Sequence, residues 1–145
     1  MKISSSAFSS GQLIPTIYTC DGHSINPPLT VESIPLGTIS LTITFDDPDA
    51  TLGTFHHWLV WNIPANMQNI PENWNPTNAV QGESSSGQKK YVGPCPPKGQ
   101  HRYIFTVYAL NTTLNLPSSA KRSDIDKAME GHVLDTGQLM GVYSR

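Results

Sequence analysis

The chain has 145 residues, 37% apolar and only 14% charged, with a formal net charge of −2; that suits one domain with a sizeable single core. Its Lys and Arg residues are scattered apart from Lys89-Lys90 and Lys121-Arg122, which argues against the clustered basic face that nucleic acid or an acidic membrane requires. No apolar run approaches the ~20 residues of a bilayer span, and Met1–Phe8 has no continuous apolar stretch of the signal-peptide kind, so a cytoplasmic location is the default expectation.

Twelve prolines and eleven glycines leave little room for long helices and favour short strands joined by turns. In chain order, Ile14 to Thr19 is a weak strand candidate. Leu41, Ile43 and Phe45 alternate with Ser40, Thr42 and Thr44, which predicts a half-buried strand. His57 to Ile63 is apolar on both faces and reads as a central strand. Glu83 to Lys90 reads as a mobile loop between strong strand patterns. Tyr103 to Leu110, rich in β-branched and aromatic residues, is the best strand signal. Ser123 then predicts a helix N-cap, with Asp124 in the first turn, and Ile125, Ala128, Met129, His132 and Val133 recur at helical spacing. The predicted helix runs from about Asp124 to Leu134. Leu139 to Tyr143 closes the chain as a weak strand. These elements form one domain over residues 1–145, mainly β, a sandwich or barrel. Cys20 and Cys95 are the only cysteines. In a reducing compartment two distant cysteines are expected as free thiols, a bridge being the minority alternative because both lie in turn-rich segments that could meet.

Three segments carry chemistry. Asp46-Asp47-Pro48-Asp49-Ala50 puts three carboxylates at a strand end. Its plain reading is a turn, because Asp side chains bond nearby backbone amides; an EF-hand calcium loop is excluded by the missing Gly and distal Glu. His56 and His57 are adjacent in a strand and so point to opposite faces. Strict alternation puts His57 with Leu59 and Trp61, and His56 with Trp58. Gly93-Pro94-Cys95-Pro96-Pro97-Lys98-Gly99 is a stiff proline loop that delivers His101 and Tyr103 onto one face of the best strand, like the wall of a pocket. Together the segments supply a carboxylate, two imidazoles and a phenol. Imidazoles titrate in the physiological range and donate to anions, and Asp47 is placed to orient one of them.

The pattern Asp47-Pro48-Asp49-Ala50, His56-His57-Trp58 and Gly93-Pro94-Cys95-Pro96-Pro97-Lys98-Gly99-Gln100-His101-Arg102-Tyr103 resembles the phosphatidylethanolamine-binding protein family, in its bacterial and archaeal Raf-kinase-inhibitor-like branch. Tyr18-Thr19-Cys20-Asp21-Gly22, Asn26-Pro27-Pro28-Leu29 and the stretch from Ala128 to Tyr143 extend the resemblance over nearly the whole chain. It implies an antiparallel Greek-key β-sandwich with one or two short helices and a small pocket for phosphate-like groups. The ligand-binding residues it implies are Asp47, His57, Pro96, His101 and Tyr103, with Gly93 to Pro97 as rim. Asp49 is assigned to the turn, and Arg102, which alternates away from His101 and Tyr103, to a structural role or an ion pair. A homodimer is a further implication of the resemblance alone.

The leading functional reading is a non-enzymatic module that binds a small anionic ligand such as a phosphate-bearing group, with no cofactor. The alternatives are a protein-interaction module inhibiting a kinase or protease, and an enzyme. A hydrolase needs a nucleophile beside a base, and Gly82 to Gly87 is not a nucleophile elbow. A Cys95–His101 thiol–imidazole pair and a two-histidine, one-carboxylate metal site are the remaining enzymatic options.

Overall fold

A computed structural model describes residues 1–145. In chain order its elements are β1 (Lys2–Ser4), a 3-10 turn (Thr16–Tyr18), β2 (Leu29–Glu32), β3 (Ser40–Asp47), β4 (Phe55–Pro64), β5 (Asn69–Ile70), β6 (Val80–Gln81), β7 (Gln100–Leu110), α1 (Arg122–Met129) and β8 (Val133–Ser144). Strands β1-β2-β5 form a small sheet and β6-β4-β3-β7-β8 a large one, with every strand pair antiparallel. After the β3–β4 hairpin the chain returns through β7 to the free side of β3, the crossing of a Greek key. The expected sandwich is therefore present, with one α-helix and one 3-10 turn. No helix is long and apolar enough to cross a membrane.

Two cores flank the large sheet. Between the sheets, Ile3, Leu29, Val31 and Ile70 meet Leu41, Ile43, Phe45, Trp58, Val60 and Phe105. On the other face, Ile125 and Met129 of α1 pack on Leu59, Trp61 and Leu110. Covering both faces explains why β3 is the central strand and is buried on both sides rather than half-buried. Its Thr42 and Thr44 lie under that second face and are buried too.

Several local expectations are corrected. Ile14 to Thr19 is not a strand. Leu13 makes a single bridge to Val142, and Pro15 then leads into the 3-10 turn. The helix is shorter and starts earlier than Asp124–Leu134. Lys121, not Ser123, occupies the N-cap, where its backbone N–H donates to Asp124 Oδ2. The helix stops before Gly131, whose φ is +77°. Residues from Val133 onward instead pair with β7, because a ladder beside a long strand offers more backbone hydrogen bonds than one more helical turn. The Glu83–Lys90 loop is pinned in its first half: Ser85 N–H donates to His56 O, and Ser84 is buried.

The β3–β4 register contains an irregularity that matters for function. Phe45 pairs with Trp58 and Asp46 with His56, so His57 is the extra residue of a β-bulge. A bulge re-aims the side chain it inserts. His57 consequently lies on the face of Phe45 and Trp58, not with Leu59 and Trp61 as strict alternation predicts.

Candidate functional site

The bulged end of β3–β4 and the start of β7 enclose a cavity of about 300 Å³ lined by Asp47, His57, His101 and Tyr103. Asp47 sits two residues beyond Phe45 and so shares its face. His101 and Tyr103 are likewise alternate residues of β7. Behind them Phe45 stacks on Phe105 at 3.8 Å and tilts against His57 and Tyr103. The polar floor thus rests on close-packed rings with little freedom to move. Phe55, Val92 and the exposed turn at Ala50–Gly53 form the walls, and Gly93, Cys95 and Pro97 the rim. Pro96, expected among the ligand-binding residues, is buried and does not line the cavity; Pro97 occupies the rim instead.

Hydrogen bonds determine what each group can offer. His57 Nδ1 lies 2.7 Å from Val92 O. A carbonyl only accepts, so Nδ1 carries the proton and Nε2 is the nitrogen left for a ligand. His101 Nδ1 lies 2.7 Å from Asp47 Oδ2, which leaves His101 Nε2 in the same position. Asp47 Oδ1 accepts from Asp49 N–H at 2.8 Å, so the carboxylate is held on both oxygens and orients rather than reaches. Tyr103 is fully buried; its hydroxyl lies beside the Asp47 carboxylate but makes no well-formed hydrogen bond. Three other buried side-chain atoms lack partners, Thr42 Oγ1, Thr44 Oγ1 and Trp61 Nε1, but none lines this cavity.

Burial pushes the His57 pKa below its ordinary value of 6.5, against the opposing Val92 hydrogen bond and the charge of Asp47. Burial, and then the charge of Asp47 and a weak hydrogen bond to it, push the Tyr103 phenol well above its ordinary value of 10.0, so it is a proton donor at any physiological pH. No three His, Cys, Asp or Glu side chains gather in an arrangement that could hold a metal ion.

On the opposite face, Asp46 accepts from His56 Nδ1 at 2.8 Å and from Arg122, whose Nε also donates to Asp126. Burial alone would raise the Asp46 pKa, but the His56 hydrogen bond and the Arg122 charge outweigh it and hold it below 3.8. At the surface Asp49 takes three hydrogen bonds from Arg102, which lower its pKa to about 2. Of the two roles expected for Arg102, structural or ion-pair, it takes the ion pair.

The free-thiol expectation is overturned. Cys20 and Cys95 form a disulfide with Cα atoms 5.4 Å apart, 75 residues apart in sequence. The 3-10 turn and the rim are drawn together by Cys20 N–H donating to Pro94 O, Gly93 N–H to Ser24 Oγ, and Tyr91 Oη to Tyr18 O. That proximity brings the sulfurs within bonding reach and leaves no Cys95 thiol for a pair with His101. Sequence reasoning also missed Val92, whose contribution is a backbone carbonyl and carries no side-chain signal. Phe55 was missed too, although its place before His56-His57 was a usable cue.

Residues 4–144 match the family model described as phosphatidylethanolamine-binding protein. A UPF0098 protein of Pyrococcus abyssi is 47% identical over 97% of this chain and 84% of its own length. One from Methanothermobacter thermautotrophicus is 43% identical over 100% and 99%. Among solved structures, a putative phosphatidylethanolamine-binding protein homolog of Chlamydia trachomatis superposes with a TM-score of 0.96 at 36% identity, covering 99% of this chain and 97% of that one. YbcL of E. coli superposes with a TM-score of 0.93 at 31% identity, covering 99% and 98%.

Proposed function

The chain belongs to the phosphatidylethanolamine-binding protein family, and from that premise we propose that it is a non-enzymatic module binding a phosphate-like or other small anionic group. The observation that carries this reading is the set of donors at one end of the cavity: the buried Tyr103 hydroxyl, which has the Asp47 carboxylate beside it but no well-formed hydrogen bond, and two histidines that each retain only Nε2. A buried polar group left unpaired is costly, and an oxyanion in the cavity would supply its acceptor.

Asp47 adds a condition. Its negative charge, held 2.7 Å from His101 Nδ1, works against a second anion in the cavity. Protonation of His57 supplies an opposing positive charge beside it. Anion binding is therefore coupled to proton uptake and strengthens as pH falls toward the lowered His57 pKa. The test is titration of the intact protein with inorganic phosphate while following the ring resonances of His57 and His101. Both are expected to shift saturably, at lower phosphate concentration at pH 6 than at pH 8. No shift at millimolar phosphate at either pH overturns the proposal.

A further inference from the structure

We infer that the Cys20–Cys95 disulfide is a redox-operated clamp that sets the ligand affinity of the pocket through His57. The inference rests on the phosphate-binding reading for its affinity readout, and on geometry alone for its structural one.

Both cysteines are exposed, and Cys95 stands on the rim of the cavity itself. The bridge fastens the rim to the 3-10 turn segment, and the rim leads directly back to Val92. Val92 is the residue that holds His57: its carbonyl accepts from His57 Nδ1, and its N–H donates to His57 O. One covalent tie therefore lies three residues from the contact that fixes the histidine tautomer. The other ties between the two segments are hydrogen bonds from Cys20 N–H, Gly93 N–H and Tyr91 Oη and the close packing of Gly93 on Tyr18 and Ser24. Each hydrogen bond contributes only about 1 kcal/mol net, so opening the bridge removes the one covalent hold on the exposed end of the rim at Cys95. A pocket whose walls must be ordered on binding has lower affinity than one already ordered.

The surroundings favour one course for reduction. Arg145 Nη1 lies 3.3 Å from Cys95 Sγ, and Arg145 also pairs with Asp21. A nearby guanidinium stabilises a thiolate, which makes Cys95 the better leaving group. A thiolate of a dithiol reductant attacks Cys20 Sγ. The Cys20–Cys95 bond breaks, and its electron pair leaves on Cys95 as a thiolate facing Arg145. The second reductant thiolate then closes the reductant's own disulfide and releases Cys20, which takes up a proton. Two electrons pass from the reductant to the bridge.

The test compares the intact protein oxidised, reduced by dithiothreitol, and as the double variant Cys20→Ser/Cys95→Ser. Backbone amide exchange and the His57 Nδ1 proton are read first, without ligand. Reduction is expected to speed exchange at Gly93 and Cys20 by about tenfold or more and to broaden the His57 Nδ1 signal, while amides of β3 and β7 stay protected. Phosphate titration is then expected to show about tenfold weaker binding by the reduced protein and by the variant, the variant no longer responding to dithiothreitol. Unchanged rim exchange, or equal phosphate affinity in oxidised and reduced protein, overturns the clamp. Absence of phosphate binding in every form overturns the functional reading instead, and the clamp is then judged on exchange and the His57 proton. If the variant does not fold, dithiothreitol reduction of the wild-type chain supplies the same comparison.

Discussion

Asp46 and Asp47 are neighbours in β3, and each holds a histidine by Nδ1, at 2.8 Å and 2.7 Å. One pair faces α1 and the other faces the cavity. On the α1 side Asp46 is surrounded by cations, and Arg122 in turn reaches Asp126. Arg122 donates to Asp46, Asp126 and Tyr108, and the result is an ion network joining the helix to the sheet. On the cavity side Asp47 faces one histidine, with a second histidine and a phenol beyond it that keep unfilled hydrogen-bonding capacity. The same two residue types therefore sit in different settings: one pair is bound into an ion network with the helix, and the other lines a cavity beside groups with unused hydrogen-bonding capacity.

The largest effect expected from breaking this comparison is on the α1 side. Arg122→Ala leaves Asp46 poorly compensated in a site where both side chains are about 15% exposed. Stability should fall by about 3 kcal/mol, the usual penalty for removing one partner of a buried pair, read as a drop in the urea midpoint. A loss too small to resolve would mean that solvent, not Arg122, carries the Asp46 charge.

On the cavity side Tyr103→Phe should act differently. It removes a buried hydroxyl that makes no well-formed hydrogen bond, so the unliganded protein should be about as stable as wild type. Phosphate affinity should nevertheless fall, by about tenfold. Loss of stability without loss of affinity would place that hydroxyl in the fold rather than in the site.

The two faces should also separate by pH. His57 has a lowered pKa in the folded state, so the unfolded chain binds its proton first. Its stabilising contribution is present above 6.5 and is lost as pH falls from 6.5 toward the folded value. Asp46 is lowered from 3.8; its contribution is present above that value and is lost only as pH falls further, through the folded pKa. Unfolding midpoints measured from pH 8 to pH 3 should show these as two windows. Phosphate should blunt the first, because it favours protonated His57, and leave the second unchanged. The smallest effect is expected at the surface. Arg102→Ala should lower the unfolding midpoint only slightly, since exposed pairs are screened, and raise the Asp49 pKa from about 2 part of the way toward 3.8, because the backbone N–H of residue 102 still donates to Asp49.

Much of the fold was legible in the sequence. The alternation Leu41-Ile43-Phe45 and the apolar run around Tyr103–Leu110 located the two strands that form the middle of the large sheet. Asp47, His57, His101 and Tyr103 could be picked out as one site from their motifs, and all four line one cavity. Strict alternation, however, put His57 on the opposite face with Leu59 and Trp61, and only the family motif placed it in the pocket. The bulge between the Phe45–Trp58 and Asp46–His56 pairs inserts it, and a bulge depends on the register of two strands, which neither strand specifies alone. Pro96 and Pro97 posed a similar problem: in a loop without period, sequence does not say which proline faces inward.

By itself, then, the sequence determined the strand-rich architecture, the residue types of the pocket and the family, because periodicity and ordered motifs are local properties of the chain. Tertiary structure alone decided three things: which aspartate pairs with which histidine, which backbone carbonyl holds the His57 tautomer, and whether Cys20 meets Cys95. Each joins segments far apart in the chain, 54 residues for Asp47 and His101, 35 for His57 and Val92, and 75 for the cysteines. At such separations the partner is chosen by packing, not by neighbours in sequence. The two aspartates of β3 share nearly the same local sequence, and only the layers packed against the sheet make one a structural ion and the other part of a pocket.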